Sequence, residues 1–179
     1  YLAKHGFVRI DKPEWMPEEM YKIRYKRHMM DGVDQYIDFS HAGTYPYFST
    51  IFGVSFYMTH PLIISILDRF SFSKIMPIIF FMPLSNIFKT TDYDVNVVSR
   101  IEVESQLAVV KREVISLLDH AKDIKGLDAL MNGTVSTLFR NSIQKWFFMP
   151  HCLIVARLAN NPQFEELTVS LSTYGPKSG

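Results

Sequence analysis

Hydrophobic residues in this chain are concentrated in long runs separated by charged segments. The longest run without Lys, Arg, Asp or Glu is "HAGTYPYFSTIFGVSFYMTHPLIISIL", from His41 to Leu67. Its part from Tyr47 onward matches the roughly 20 residues that an α-helix needs to cross the hydrocarbon core of a bilayer. Hydroxyl side chains such as Ser49 can bond back to helix carbonyls, and Pro61 bounds or kinks the span. The pattern predicts one transmembrane helix packed against other helices.

A second apolar segment, "IMPIIFFMPLSNIF", covers Ile75 to Phe88. Pro77 and Pro83 interrupt it, and it is shorter than a full helical span. These features predict an interfacial segment, a re-entrant segment or a core helix.

The segment after Ser99, "SRIEVESQLAVVKREVISLLDHAKDI", has the clearest helical periodicity in the chain. Ser99 and Glu102 form a capping box. Apolar residues follow at spacings of three and four, with charges between them: Ile101, Leu107, Val110, Val114, Leu117, Leu118 and Ala121. We predict an amphipathic helix that breaks at "KGLD", residues 125–128. A second helix is expected from Leu127 to Phe148 and is ended by Pro150; "HCLIVARLANN" then forms a short buried helix or strand.

The N-terminal part contains the basic and aromatic segment "YKIRYKRH", residues 21–28. Pro17 and the two glutamates after it are typical of a helix start. A helix is therefore predicted from Pro17 to about Met30, ending at Asp31 and Gly32. Interleaved cations and rings suit a lipid headgroup layer or nucleic-acid phosphates, and they also occur on an ordinary solvated helix face.

Together these segments predict an all-α fold with one transmembrane helix, a second short apolar segment and then a small helical domain. The expected divisions are 1–38 (an extended segment and a basic amphipathic helix), 39–89 (a membrane-embedded region) and 90–179 (a soluble α-helical domain).

Composition narrows the classes of function. The 179 residues are 47% hydrophobic and 14% aromatic, with a formal net charge of +1. This near-neutral balance lacks the global basic field of most nucleic-acid binders, so no nucleic-acid partner is expected. The one cysteine, Cys152, allows no internal disulfide framework.

Motifs for catalysis or metal binding are missing from the sequence. The six histidines are scattered, and no pair has the i, i+4 spacing of a helical metal site. No phosphate-binding glycine loop or nucleophile elbow occurs. We therefore expect no enzyme activity, metal, cofactor or small-molecule substrate. An enzyme with a dispersed site, such as one built from Asp119, His120 and His151, remains an alternative.

A resemblance to a known family rests on residues 21–61. The matching features are a basic aromatic segment, a Tyr-containing link, a small pair, a Pro-aromatic step and an aromatic-rich run, at Tyr21–Arg27, Tyr36-Ile37, Ala42-Gly43, Pro46–Phe48 and on to Tyr57. This part is similar to membrane subunit f of mitochondrial ATP synthase, although members of that family commonly end soon after the span.

The resemblance implies a non-catalytic accessory subunit of the proton-translocating sector, located in the mitochondrial inner membrane. Other subunits of the complex and membrane lipid are then its expected partners, and cardiolipin is the ligand implied for Arg24, Lys26 and Arg27. A soluble α-helical interaction or assembly module, in which the uncharged run is core, is the leading alternative.

Overall fold

The computed structural model describes residues 1–10, 21–44, 47–70, 78–83, 95–96, 100–133 and 142–172. Two compact units are formed, and each is built from separate parts of the chain. The first unit covers Tyr1–Met29, Asp34–Met58 and Phe81–Asp119, whereas the second covers Met30–Val33, Thr59–Phe80 and His120–Gly179.

The first unit is built on a β-sheet whose strands occur early in the chain. Over the described residues the strands are β1 (Val8–Ile10), β2 (Tyr21–His28), β3 (Asp34–Thr44), β4 (Tyr47–Thr59), β5 (Phe80–Pro83) and β6 (Val95–Asn96). Their order is β1-β2-β3-β4-β5, with β6 also paired to β4. The pairs β1–β2, β2–β3 and β4–β6 are antiparallel. A 3₁₀ turn, Leu2–His5, precedes β1.

A helical run completes the first unit. It consists of α2 (Arg100–Val109), a π-helical turn (Val110–Val114) and α3 (Ile115–His120), of which the last residue belongs to the second unit. The buried side chains of the unit come from both sheet and helix: Phe7, Ile37, Val54, Phe56, Met58, Val110, Val114, Ile115 and Leu118. Removing this apolar surface from water is the main force that stabilises the unit.

The described secondary structure of the second unit is mainly helical. It contains α1 (Pro61–Arg69), α4 (Ile124–Asn132), α5 (Ser142–Leu158), α6 (Phe164–Ser172) and the 3₁₀ turn Met30–Gly32. Seven of its buried apolar side chains lie on three of these helices: Ile63, Leu67, Leu127, Leu130, Met131, Val155 and Ala156. Others, such as Val33 and Ile79, lie outside the helices.

The prediction of an all-α fold with a transmembrane helix is wrong, because half of the molecule is organised by an antiparallel sheet. The fold is therefore mixed α and β. No helix in the described part of the chain combines the length and the apolar character required to cross a membrane. The uncharged run from His41 to Leu67 instead supplies the end of β3, all of β4 and most of α1.

Burial of side chains along the strand β4 follows a period of two. The length of the uncharged run and its lack of charge concealed this pattern in the sequence. Apolar side chains at Val54, Phe56 and Met58 are buried, whereas Ser55 and Thr59 on the opposite face are partly exposed; Tyr57 on that opposite face is 6% exposed. Such alternation is typical of a strand with one buried face, and β-branched and aromatic residues favour strands. The predicted role of His60-Pro61 as a boundary is confirmed, but it separates β4 from α1, with Pro61 at the start of the helix.

The basic segment that we predicted as a helix is the strand β2. Its alternating pattern places every second residue on the same side of the sheet. The helix end expected at Asp31-Gly32 instead follows a strand, and these residues, with φ values of 57° and 81°, lie in the 3₁₀ turn between β2 and β3. The described part of the second apolar segment contains the strand β5. The predicted helix start at Pro17 and the capping residue Ser99 lie outside the described residues.

The amphipathic helix predicted after Ser99 is confirmed over Arg100–His120, but the later boundaries differ. "KGLD" lies inside α4, whose N-cap Asp123 accepts a hydrogen bond from the Gly126 N–H at 2.7 Å. Gly126 is required there because a Cβ would collide with the His120 carbonyl. Pro150 lies within α5 and does not end it. Packing of His151 and Val155, both buried, offsets the helix cost of proline.

Candidate functional site: the charged sheet face

Two neighbouring strands of the first unit carry a row of charged and aromatic side chains on one side. The β2–β3 register pairs Arg24 with Asp38, Lys26 with Tyr36 and His28 with Asp34. Paired residues of an antiparallel ladder point to the same side of the sheet. Tyr57 joins this group through its contact with Arg24. We call the set the charged sheet face: Arg24, Lys26, His28, Asp34, Tyr36, Asp38 and Tyr57.

Ion pairs fix the cations of this face. Arg24 donates from Nε and Nη2 to the two oxygens of Asp38, both at 2.8 Å. This bidentate geometry is the strongest form of a guanidinium–carboxylate pair. Asp34 accepts from Lys26 Nζ at 2.7 Å and from His28 Nδ1 at 2.7 Å. Each cation therefore lies in one defined position on the sheet.

Two tyrosine rings lie between these ion pairs. Tyr36 and Tyr57 are stacked, with ring centroids 4.6 Å apart and planes inclined by 5°. The Arg24 guanidinium lies 5.3 Å from the centre of the Tyr57 ring, and Lys26 Nζ lies 5.5 Å from that of Tyr36. Cations at this range are attracted by the ring quadrupole. The cation–ring contacts and the ring stack therefore stabilise the positions of these four side chains.

The members of each ion pair differ in exposure. The Arg24 side chain is 17% exposed and that of Asp38 is 4% exposed. The corresponding values are 36% for Lys26 and 15% for Asp34, and His28 is 72% exposed. In all three pairs the basic residue is the more exposed partner, so basic groups form the solvent-facing layer.

The pKa shifts of the ion-paired residues Arg24, Lys26 and Asp34 favour their charged forms. The hydrogen bond to Asp38 raises the pKa of Arg24, and the hydrogen bond to Asp34 raises that of Lys26. Burial alone would raise the pKa of Asp34, but hydrogen bonds from Lys26 and His28 outweigh it and the pKa is lowered. Burial, followed by the nearby Asp38 charge, raises the pKa of Tyr57. Arg24, Lys26 and Asp34 are thus charged and Tyr57 is neutral near pH 7.

The three basic residues that the sequence grouped together lie on two different faces. Arg24 and Lys26 belong to the charged sheet face, whereas Arg27 lies on the other side and is 7% exposed. The Arg27 guanidinium donates to Gln35 Oε1 from Nε and Nη2, at 2.9 and 2.6 Å. Its Nη1 donates to the His5 carbonyl at 3.0 Å and to Asp119 Oδ1 at 2.8 Å. Arg27 therefore ties strand, helix and N-terminal segment together.

The three residues of the alternative dispersed enzyme site are divided between the two units and differ in burial. Asp119 pairs with Arg27 in the first unit, whereas His120 and His151 belong to the second. His120 is exposed and His151 is 3% exposed. Burial lowers the pKa of His151 to about 4, so its imidazole is neutral near pH 7. Among the residues described, no group of three His, Cys, Asp or Glu has the arrangement of a metal site.

Sequence reasoning missed the acidic and tyrosine partners of the basic residues, namely Asp34, Tyr36, Asp38 and Tyr57. The alternation in "YKIRYKRH" and in "DQYIDFS" was the available signal, because a period of two places charged residues of two strands side by side. The short link "MMDG" between them, with its Asp-Gly pair, is typical of a chain reversal between strands.

The second unit holds a different polar cluster. Asp128, 9% exposed, accepts from Asn132 Nδ2 at 2.8 Å and from Asn161 Nδ2 at 2.7 Å. Asn132 Nδ2 also donates to the Cys152 carbonyl at 3.0 Å. The cluster ties α4 to α5 and to the turn before α6. It contains carboxylate and amide groups with a structural role.

Comparison with protein-family models found no match for this chain, and comparisons with curated proteins and with solved structures found none either. The resemblance to subunit f, the inner-membrane location, the accessory role and the lipid contacts of Arg24, Lys26 and Arg27 therefore stay predictions.

Proposed function

We propose that this chain is a non-catalytic protein-interaction module and that the charged sheet face is its docking surface. The observation that carries the proposal is the exposure order within the ion pairs. Arg24 and Lys26 are more exposed than the carboxylates that hold them. A partner would therefore meet cations that are already fixed in position, which lowers the entropy cost of ordering them on binding.

The chemistry of the face supports this role. Tyrosine and arginine are enriched in protein–protein interfaces and among the residues that dominate binding energy. Tyr36 is partly exposed and is held by its stack with Tyr57. A fixed ring supplies a large contact area with little loss of conformational entropy.

The pKa directions favour binding over acid–base chemistry on this face. A general acid or base works best when its pKa lies near the working pH. Here the pKa of Lys26 is raised and that of Asp34 is lowered, so both move away from neutrality. Ion pairs that hold their charge are suited to recognition.

This docking role is independent of the membrane assignment. The resemblance to subunit f predicts an accessory subunit of an inner-membrane complex, and a docking face is compatible with that role. The same face would also serve an assembly module outside a membrane, which is the alternative that the sequence left open.

A displayed library of random peptides tests the proposal. The full chain is used for selection, and enriched peptides are then measured against Lys26→Ser, Tyr36→Ser and the control Arg112→Ser. Arg112 is a matched control because it lies in the same unit and forms an ion pair with Glu113 at 2.6 Å, with its side chain 71% exposed.

We expect enriched peptides to bind the parent chain and Arg112→Ser equally. Binding to Lys26→Ser and Tyr36→Ser should be weaker by about tenfold, as for central interface residues. Circular dichroism establishes that the variants are folded. Selection that yields no peptide sensitive to either face variant would refute the docking role.

A further inference from the structure

The cations of the charged sheet face follow the repeat of one strand. Arg24, Lys26 and His28 occupy alternate positions of β2. Side chains on the same side of a strand repeat at about 7 Å. An extended peptide has the same repeat, so side chains at its alternate positions can meet successive members of this row.

The ion pairs leave hydrogen-bonding capacity for a ligand. Arg24 uses Nε and Nη2 for Asp38, and among the described residues Nη1 has no partner. Lys26 has three N–H donors; its side chain forms hydrogen bonds with Asp34 and Tyr36, which leaves one donor. These donors carry positive charge, and their natural complement is a carboxylate.

An apolar margin borders the row of cations. Val8 pairs with Lys26 and Ile10 pairs with Arg24 across the β1–β2 ladder, so both lie on the charged sheet face. Val8 is 67% exposed. In the described strand order β1 is the end strand. A ligand that bridges β1 and β2 therefore meets an apolar side chain beside a cation.

The charge sum of the face argues against a bilayer or a nucleic acid as the occupant. Among the described side chains of the face, the guanidinium of Arg24 and the ammonium of Lys26 are balanced by the carboxylates of Asp34 and Asp38, so the formal sum of these four groups is zero. Adsorption to anionic lipid or to phosphate backbones grows with net positive charge. Because the four charges of this face cancel, an anionic ligand is attracted only at short range, where the more exposed cations are nearer to it than the carboxylates are.

We propose that the docking partner presents an extended acidic segment with carboxylates at alternate positions and an apolar residue beside them, which pairs with Arg24 and Lys26 and covers Val8. The inference rests on the proposed docking function and names the chemistry of its partner.

The peptides selected in the experiment above provide the first test. Peptides whose binding is weakened by Lys26→Ser or Tyr36→Ser are called face-dependent. They should be enriched in Asp and Glu at positions i and i+2. For one such peptide, three synthetic forms are compared by fluorescence anisotropy against the full chain. The forms are the selected sequence, a version with Gln for each Glu and Asp, and a version with the same composition but adjacent carboxylates.

We expect the Gln and adjacent forms to bind about tenfold more weakly, since each loses at least one charge-assisted contact. Lys26→Glu should reverse the preference toward a Lys-containing peptide, whereas Arg112→Glu should not. Lys26→Gln provides a milder change if Lys26→Glu fails to fold, and it should weaken acidic peptides without reversing the preference.

Three outcomes would overturn the acidic-segment inference while leaving the docking function in place. These are face-dependent peptides without acidic residues, equal binding of the alternate and adjacent forms, and equal binding of the Gln form. Lys26-dependent binding to phosphatidylserine-containing vesicles or to a single-stranded oligonucleotide, tighter than to the acidic peptide, would also overturn it. A library without any face-dependent peptide would refute the docking function itself.

Discussion

The two units of this molecule bury polar groups in opposite ways. Among the described side chains of the first unit, each buried or half-buried cation faces a carboxylate, as Arg27 faces Asp119 and Arg24 faces Asp38. In the described part of the second unit, Asp128 is held by two neutral amides. His60, 6% exposed, bonds through Nε2 to the Asp31 carbonyl at 2.6 Å.

This difference determines which conditions each unit responds to. Ion pairs keep their charges through neutral pH and respond at the acidic and alkaline extremes. A histidine that burial keeps neutral, as His151 is in the second unit, responds at the pH where the unfolded chain can take up a proton that the folded chain cannot. The contrast therefore predicts different mutational and pH effects in the two units.

The largest effect is expected from Arg27→Met in the first unit. The change leaves Gln35 Oε1 buried without its donor, since Gln35 is 0% exposed. Loss of one partner in a buried ionic network costs about 3 kcal/mol. Urea denaturation measures the free energy of unfolding. The control Arg112→Met should change it by less than about 0.5 kcal/mol; similar losses in both variants would show that Arg27 does not have this role.

The next effect is expected from Asp128→Ala in the second unit. Removing the carboxylate takes an acceptor from the amides of Asn132 and Asn161. The expected loss is about 2 kcal/mol, from the loss of both hydrogen bonds to the carboxylate; Asn132 keeps its bond to the Cys152 carbonyl. The exposed Asp68 in the same unit gives the matched control, and Asp68→Ala should be within about 0.5 kcal/mol of the parent. The amide network would be dispensable if the two variants were equally stable.

His151 should give the second unit a response to mild acid. Burial lowers its folded pKa to about 4 from the ordinary value of 6.5. Because the folded pKa is depressed, its contribution is complete above pH 6.5 and falls as the pH decreases toward 4. The expected loss is about 1–2 kcal/mol between pH 7 and pH 5. His151→Gln should flatten the pH dependence of unfolding in this window, whereas His120→Gln should not; parallel profiles of parent and His151→Gln would contradict the assignment.

The smallest effect is expected from Asp34→Asn on the charged sheet face. The folded pKa of Asp34 is lowered, so its stabilisation is present above the unfolded value of 3.8 and is lost as the pH falls through the folded pKa. Because the pair with Lys26 is partly exposed, the cost at pH 7 should be below about 1 kcal/mol. Thermal unfolding at pH 7 and below pH 3.8 measures the stability difference between Asp34→Asn and the parent chain, and Glu113→Gln is the control variant. The variant and parent should converge in acid, and a constant difference would exclude this ion pair as the cause.

The candidate site could be predicted only in part from the sequence. "YKIRYKRH" drew attention to Arg24, Lys26 and Arg27, but a helical interpretation grouped them on one surface. As a strand, the segment places Arg27 on the opposite side from the other two. Asp34 and Asp38 could not be assigned as partners without the register, because an ion pair between strands depends on which residues face each other.

The sequence by itself determined the amphipathic helix after Ser99 and an interruption of regular structure at Asp31-Gly32 and at His60-Pro61, because spacing, glycine and proline act locally. Only the tertiary structure decided that the uncharged run from Tyr47 onward is a strand. An apolar segment can be buried in a bilayer, a helix core or a sheet, and the choice depends on its neighbours. In this fold, β4 is paired with neighbouring strands through its backbone, and its side chains at Val54, Phe56 and Met58 are buried.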